Sequence, residues 1–165
     1  MEKEIFLASQ LVALLRERKL TFSTAESCTG GLISAAITAV PDASDIFHYG
    51  FITYGEDAKG KILQIDPIIL KCGTVSPEVA EAMATGAKGV SGSDIALSIT
   101  GYAGPGGGTK LAPVGTAFIA IVGSDVTELI RRQYKGSREQ IRREFTLQAL
   151  QLAIEYINRL KGEER

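Results

Sequence analysis

Thr24-Ala25-Glu26-Ser27-Cys28-Thr29-Gly30-Gly31 stands between a short apolar strand segment, residues 20–25, and an Ala/Ile-rich helical segment, residues 30–39. A strand that turns sharply into a helix holds one side chain out at the sheet edge. It also aims unpaired backbone N–H groups at whatever that side chain attacks. The paired glycines allow close backbone approach. Ser27 therefore reads as a nucleophile beside an anion hole, and the strand–turn–helix as one unit of an alternating α/β chain.

Working outward, the same alternation continues on both sides. Residues 4–19 carry Leu7, Leu11, Leu14 and Leu15 at helical spacing, with Arg16, Arg18 and Lys19 at the end where cations suit the helix dipole. Pro41 closes the helix that follows Ser27. Residues 47–54 are aromatic and β-branched and predict a strand; residues 57–63 predict a short helix. Ser76 caps a further helix with Pro77 in its first turn, running to about Gly89. Residues 94–100 form a buried strand, and residues 101–113 a glycine-rich loop. Residues 114–122 and 126–134 make a hairpin around Gly123-Ser124-Asp125. Ser137 caps a last helix with Ile141, Phe145, Ala149, Leu152 and Tyr156 on one stripe, and the charged tail 161–165 should fray. The pattern predicts one domain over residues 1–165. Its fold class is α/β: a three-layer α/β/α sandwich with a mixed, mainly parallel sheet containing one antiparallel hairpin.

Composition narrows the function. The 165 residues are 45% hydrophobic, and no apolar run reaches the roughly 18–20 residues a bilayer span requires. Met1-Glu2-Lys3-Glu4 lacks a signal-peptide pattern. Cys28 and Cys72 have neither metal spacing nor the look of a disulfide scaffold, so a cytoplasmic protein with free thiols is expected. A formal net charge of −1 gives no electrostatic case for binding nucleic acid or an acidic membrane.

A serine hydroxyl needs a base. The single histidine, His48, reads as a surface or partly buried residue of a strand. Lysine is the alternative. Tyr54-Gly55-Glu56-Asp57-Ala58-Lys59 puts Lys59 near the positive end of a helix, which disfavours the ammonium. The demand is large: from about 10.4 to roughly 7–8, or about 4 kcal/mol. Lys61 and Lys71 compete for the role, and on this segment alone Lys59 also reads as a solvated surface lysine. Cys28 is a rival nucleophile, although a thiol packed inertly beneath the turn is the preferred reading. Gly104-Pro105-Gly106-Gly107-Gly108-Thr109-Lys110 fails the phosphate-loop pattern, because Thr109 precedes Lys110 and a strand follows. It remains either a phosphate-wrapping loop or a flexible connection. Asp42, Asp45 and His48 match no ligand pattern, so no metal site is expected. Arg142 and Arg143, early in the last helix, suit an anionic partner or a surface salt bridge.

Taken in order, several blocks resemble the C-terminal domain of the CinA (competence/damage-inducible) proteins, a domain that also occurs alone as a nicotinamide-nucleotide amidohydrolase. The blocks are Thr24–Gly31, Gly50-Phe-Ile-Thr-Tyr54 with Ala58-Lys59, Gly73-Thr-Val-Ser76, Ser98-Ile-Thr-Gly101 with Ala103-Gly-Pro105, Pro113-Val-Gly-Thr116, and the Arg142-Arg143 helix. The resemblance covers nearly the whole chain. It implies deamidation of nicotinamide mononucleotide to the nicotinate nucleotide and ammonia, with no cofactor and no metal. Carried over, Ser27 is the nucleophile, Lys59 the base and Tyr54 an aid to proton traffic. Cys28, Thr29, Gly30, Gly31, Thr100, Gly101 and Arg142 are assigned to the substrate, with Arg143 close behind Arg142. The amides after Ser27 would hold the oxyanion.

One departure stands out. The family commonly has Ser-Asn after the tyrosine, where this chain has Gly55-Glu56. Glu56 lies one turn before Lys59 and would favour its ammonium if the two met. The alternative is therefore a nucleotide-binding module of the same fold without turnover; a third reading is hydrolysis of another amide or ester. A second apolar set on the last helix, Leu147, Leu150, Ile154 and Ile157, suits either burial within the monomer or a homo-oligomer.

Overall fold

The computed structural model describes residues 1–160. Its sheet has five strands in the order β2-β1-β3-β4-β5. β1 (Phe22–Glu26) lies between β2 (Phe47–Ile52) and β3 (Ile95–Gly101) and is parallel to both. β4 (Thr116–Val122) and β5 (Thr127–Gln133) complete the sheet, each antiparallel to the strand before it. The sheet is thus half parallel by strand pairs, which corrects the mainly parallel expectation. Residues 101–113 contain no helix to carry the chain back over the sheet, so β4 returns alongside β3 in the opposite sense. The β4–β5 hairpin is as expected.

Helices cover both faces. α1 (Glu2–Arg18), α2 (Leu32–Thr38) and α6 (Arg138–Arg159) lie on one; α3 (Glu56–Leu63), α4 (Pro67–Leu70) and α5 (Pro77–Ser91) lie on the other. The period-2 rule divides the central strands between them. Ile95, Leu97 and Ile99 of β3, with Ala117, Ile119 and Ile121 of β4, face α1, α2 and α6. Ala96 of β3 and Phe118, Ala120 and Val122 of β4 face the α5 side. Leu11, Leu15 and Phe145 fill the first layer and are fully buried, each contributing about 1.5–3 kcal/mol. The second layer uses small residues, among them Ala25, Ala80, Ala84 and Ala96, so α5 lies close on the sheet.

Local signals account for most boundaries. Ser76 Oγ accepts from the Val79 N–H, with Pro77 at the first helical position of α5. Ser137 and Gln140 close a reciprocal capping box at the start of α6. Two short pieces escape the sequence pattern: α4, capped by Asp66 on the Ile68 N–H, and a 3-10 turn at Ala43–Asp45. The tail expected to fray, 161–165, lies outside the described residues. No helix among the described residues is long and apolar enough to cross a membrane.

The chain leaves β1 for β2 on one side and later reaches β3 on the other. The C-terminal ends of β1 and β3 are therefore a topological switch point, the place where open α/β sheets bind ligands.

Candidate active site

Ser27 follows β1 directly and is 8% exposed. Its N–H extends the sheet to the Ile99 carbonyl at 3.1 Å, and its own carbonyl accepts from Gly30 at 3.0 Å, which tightens the turn. Gly30 and Gly31 have positive φ, 58° and 104°, in the range that favours glycine. A Cβ on Gly31 would lie 3.0 Å from Ile52 Cδ1, the tip of an exposed side chain that can move, so the positive φ is what calls for glycine here.

Lys59 enters from the opposite direction. Gly55 is the N-cap of α3, and one turn later the Lys59 side chain runs inward until it is 1% exposed. Its Nζ lies 3.0 Å from Ser27 Oγ, 2.7 Å from the Thr53 carbonyl and 3.1 Å from the Tyr54 carbonyl. Burial takes its pKa from 10.5 down to about 8; Cys28 and Glu56, where charged, oppose this by less. As an ammonium, Nζ donates to all three oxygens; loss of one proton leaves a second arrangement. A neutral amine has two N–H groups and one lone pair. The two carbonyls can only accept, so they take the N–H groups and turn the lone pair toward the Ser27 hydroxyl.

A cavity of about 250 Å³ opens over this pair. That is somewhat below the usual range for small-molecule sites, roughly 300–1,000 Å³. Of the residues expected at the site, Ser27, Lys59, Tyr54, Cys28, Thr100 and Gly101 line it. Thr29, Gly30 and Gly31, which complete the turn, and Arg142, which stands behind it, do not. Thr29 Oγ1 donates to Glu26 at 2.6 Å, and Arg142 clamps the turn by donating to the Cys28 and Thr29 carbonyls at 3.0 and 2.9 Å. Arg143 points away and pairs with Glu4 at 2.6 Å. Tyr54 meets the dyad through its carbonyl, while its phenol bonds Arg138 at 3.2 Å. Thr100 is held by the Thr74 carbonyl at 2.6 Å. At Gly101 a Cβ would lie 2.7 Å from the Thr116 carbonyl, so β4 requires that glycine as much as the cavity does.

Arg138 is the cavity residue that the sequence reading passed over. Its Nη1 donates to the Gly104 carbonyl at 2.8 Å and its Nη2 to Tyr54, so both contacts are neutral and its charge is unpaired among the described residues. The signal was available: an arginine at a helix's first position opposes the dipole, and the Ser137–Gln140 box puts Arg138 there, four residues before Arg142. Gly104 and Gly106 also line the cavity, which makes the glycine loop part of its wall.

The competitors fall away on geometry. His48 is exposed on the edge strand β2. Lys61 is 75% exposed and paired with Asp57, and Lys71 is exposed. Burial pushes the Cys28 thiol up to about 12, too high for a thiolate nucleophile near neutrality. Among the described residues, no group of three His, Cys, Asp or Glu side chains is placed to hold a metal ion.

Comparison with known proteins fits this architecture. Residues 4–157 match the model of the CinA C-terminal domain. A CinA-like protein of Citrifermentans bemidjiense is 49% identical over 134 residues, and one of Thermotoga sp. strain RQ2 is 42% identical over 156. Those alignments take in 81% and 94% of this chain but only 32% and 37% of the relatives, so the chain spans about a third of their length. The crystal structure of competence damage-inducible protein A from Klebsiella pneumoniae superposes with a TM-score of 0.92 at 31% identity, covering 96% of this chain and 99% of that one. The competence/damage inducible protein CihA of Agrobacterium tumefaciens gives 0.90 at 34% identity, covering 95% and 96%. The chain belongs to the CinA C-terminal domain family.

Proposed function

We propose that this domain is a serine amidohydrolase that removes ammonia from the carboxamide of nicotinamide mononucleotide. One observation carries the reading: a buried lysine amine, its N–H groups committed to two carbonyls, lies 3.0 Å from the Ser27 hydroxyl. With a pKa of about 8, about a tenth of Lys59 is uncharged at pH 7; an ordinary lysine would offer about one part in three thousand.

In the reaction, Lys59 Nζ takes the Ser27 proton as Oγ attacks the carboxamide carbon. The carbonyl oxygen becomes an oxyanion beside the turn. The Cys28 N–H finds no oxygen acceptor among the described residues and belongs to a residue that lines the cavity, which leaves it for that charge. A donor of this kind is worth about 3–4 kcal/mol. The Lys59 ammonium then protonates the amide nitrogen, ammonia leaves, and an ester to Ser27 remains. Water, deprotonated by the same amine, hydrolyses the ester. Arg138 is the cavity cation suited to a phosphate. Arg142 serves by fixing the turn. A cytoplasmic setting suits the two free thiols, Cys28 and Cys72.

Ammonia release from nicotinamide mononucleotide tests the reading, with intact-mass detection of the Ser27 ester. Wild type should turn over, and Ser27→Ala should be inactive. Turnover surviving in Ser27→Ala defeats the serine mechanism.

A further inference from the structure

Glu26 directly precedes the nucleophile and is fully buried. Its carboxylate receives five hydrogen bonds, all from residues 29–34. Oε2 accepts from Thr29 Oγ1 at 2.6 Å, the Gly31 N–H at 3.0 Å and the Ile33 N–H at 3.1 Å. Oε1 accepts from the Ser34 N–H at 2.8 Å and Ser34 Oγ at 2.7 Å. An ionised carboxylate only accepts, so the pocket around it is built for the anion. Its main-chain carbonyl accepts from the Thr53 N–H at 2.9 Å, and Thr53 is one of the two residues whose carbonyls hold Lys59.

Most of the turn's amides already have a partner. Gly31, Ile33 and Ser34 give their N–H groups to Glu26; Gly30 gives its to Ser27 and Leu32 to Thr29. The start of α2 is therefore filled from within and closed to a substrate anion. The first two amides after Ser27 have no oxygen acceptor among the described residues, and of these two residues only Cys28 lines the cavity.

We propose that Glu26 is a positioning residue for the nucleophile: its carboxylate fills the N-terminus of α2, fixes the 27–31 turn and keeps the Cys28 amide at the cavity for the oxyanion. The proposal rests on the amidohydrolase reading above. Glu26 touches no reacting atom. Its effect falls on the step in which negative charge develops, so it alters kcat more than KM.

Glu26→Gln keeps the size but turns an NH2 group toward donors. Two assays read it. One is ammonia release from nicotinamide mononucleotide. The other is labelling of Ser27 by an alkyl fluorophosphonate, followed by intact mass: an Oγ–P bond forms, P–F breaks, fluoride leaves and Lys59 takes the proton. The folded variant should lose about a hundredfold in both kcat and labelling rate, with KM within about threefold. The pH at half-maximal rate should stay at the wild-type position, because Lys59 is untouched. A folded Glu26→Gln that labels within threefold of wild type overturns the proposal, as does a loss confined to KM or a displaced pH profile. If Glu26→Gln does not fold, Thr29→Val removes one of the five bonds and should slow labelling about five- to tenfold; an unchanged rate there overturns the proposal. Wild type that releases ammonia with kcat preserved in the variant defeats the Glu26 role alone. Labelling that slows in the variant, with no ammonia from wild type, upholds Glu26 and removes only the substrate.

Discussion

Lys59 and Lys61 stand two residues apart on one helix and have opposite fates. Lys59 is 1% exposed against Ser27, and the Lys61 side chain is 75% exposed and paired with Asp57. Residues two apart on a helix point to different sides, so only one of them can follow the buried Leu63 inward. Lys59 is four residues before Leu63 and shares its face. Desolvation there lowers the pKa of a side chain that solvent would otherwise keep charged, and the cost falls on stability. The pair separates two uses of one side chain at nearly constant sequence position.

The largest test of that contrast is replacement of each lysine. Lys59→Ala should lower kcat by about 10²–10⁴-fold, the span of general-base catalysis. Lys61→Ala should leave turnover within twofold and stability within about 0.5 kcal/mol, since exposed pairs contribute little. Steady-state ammonia release and thermal unfolding check both. Equal losses would erase the distinction.

The pH dependence sharpens it. Below its pKa of about 8, Lys59 is mostly ammonium and cannot take the Ser27 proton. The rate of ammonia release should therefore rise about tenfold per pH unit up to roughly pH 8 and then level. Stability carries the same signature. The folded pKa, about 8, lies below the ordinary 10.5, so the unfolded chain binds more protons between those values. Stability must then rise with pH across that window, by about 3 kcal/mol in all, and the full penalty is present below pH 8. Subtracting the denaturation curve of Lys59→Met from that of wild type isolates the effect from other groups. The same slope in both proteins would mean that Lys59 titrates normally.

The arginines of α6 extend the comparison. Arg142→Ala removes both bonds to the carbonyls of the turn and should destabilise the protein by about 1–3 kcal/mol, with kcat reduced. Arg138→Ala touches only the cavity wall and should raise KM for a phosphorylated substrate about tenfold or more, with stability nearly intact. Kinetics with the nucleotide and with its phosphate-free nucleoside separate the two, because the Arg138 effect should vanish on the nucleoside.

The sequence exposed these parts unevenly. The Ser27 turn was legible because the strand, paired glycines and helix are contiguous, and α5 and α6 announced themselves through Ser76-Pro77 and Ser137. Four-residue α4 is too short for periodicity to register. The direction of β4 depends on what the 101–113 loop does in space, which composition does not encode. The dyad was legible only as a choice among lysines, because Ile62 and Leu63 offer two apolar faces and only packing selects Leu63. Arg138, not Arg142, lines the cavity for a related reason. The dipole argument applies at a helix's first turn, and the cap at Ser137 puts Arg138, not Arg142, in that turn.

Glu56 gives the smallest and most discriminating test. It opens α3, one turn before Lys59, and its charge favours the ammonium. Yet it is exposed and forms no ion pair with Lys59, whose Nζ is occupied by Ser27 and two carbonyls. Its influence therefore passes through solvent and is heavily screened. Glu56→Gln should move the pH–rate midpoint downward by roughly 0.2–0.5 units and raise the rate at pH 7 by about two- to threefold. High salt should give wild type most of the same shift. A downward displacement above about one unit would place the carboxylate against the amine in solution. Lys59 would then resemble Lys61, an ammonium held by its own helix, and wild-type turnover at pH 7 would be less than about a tenth of the variant's.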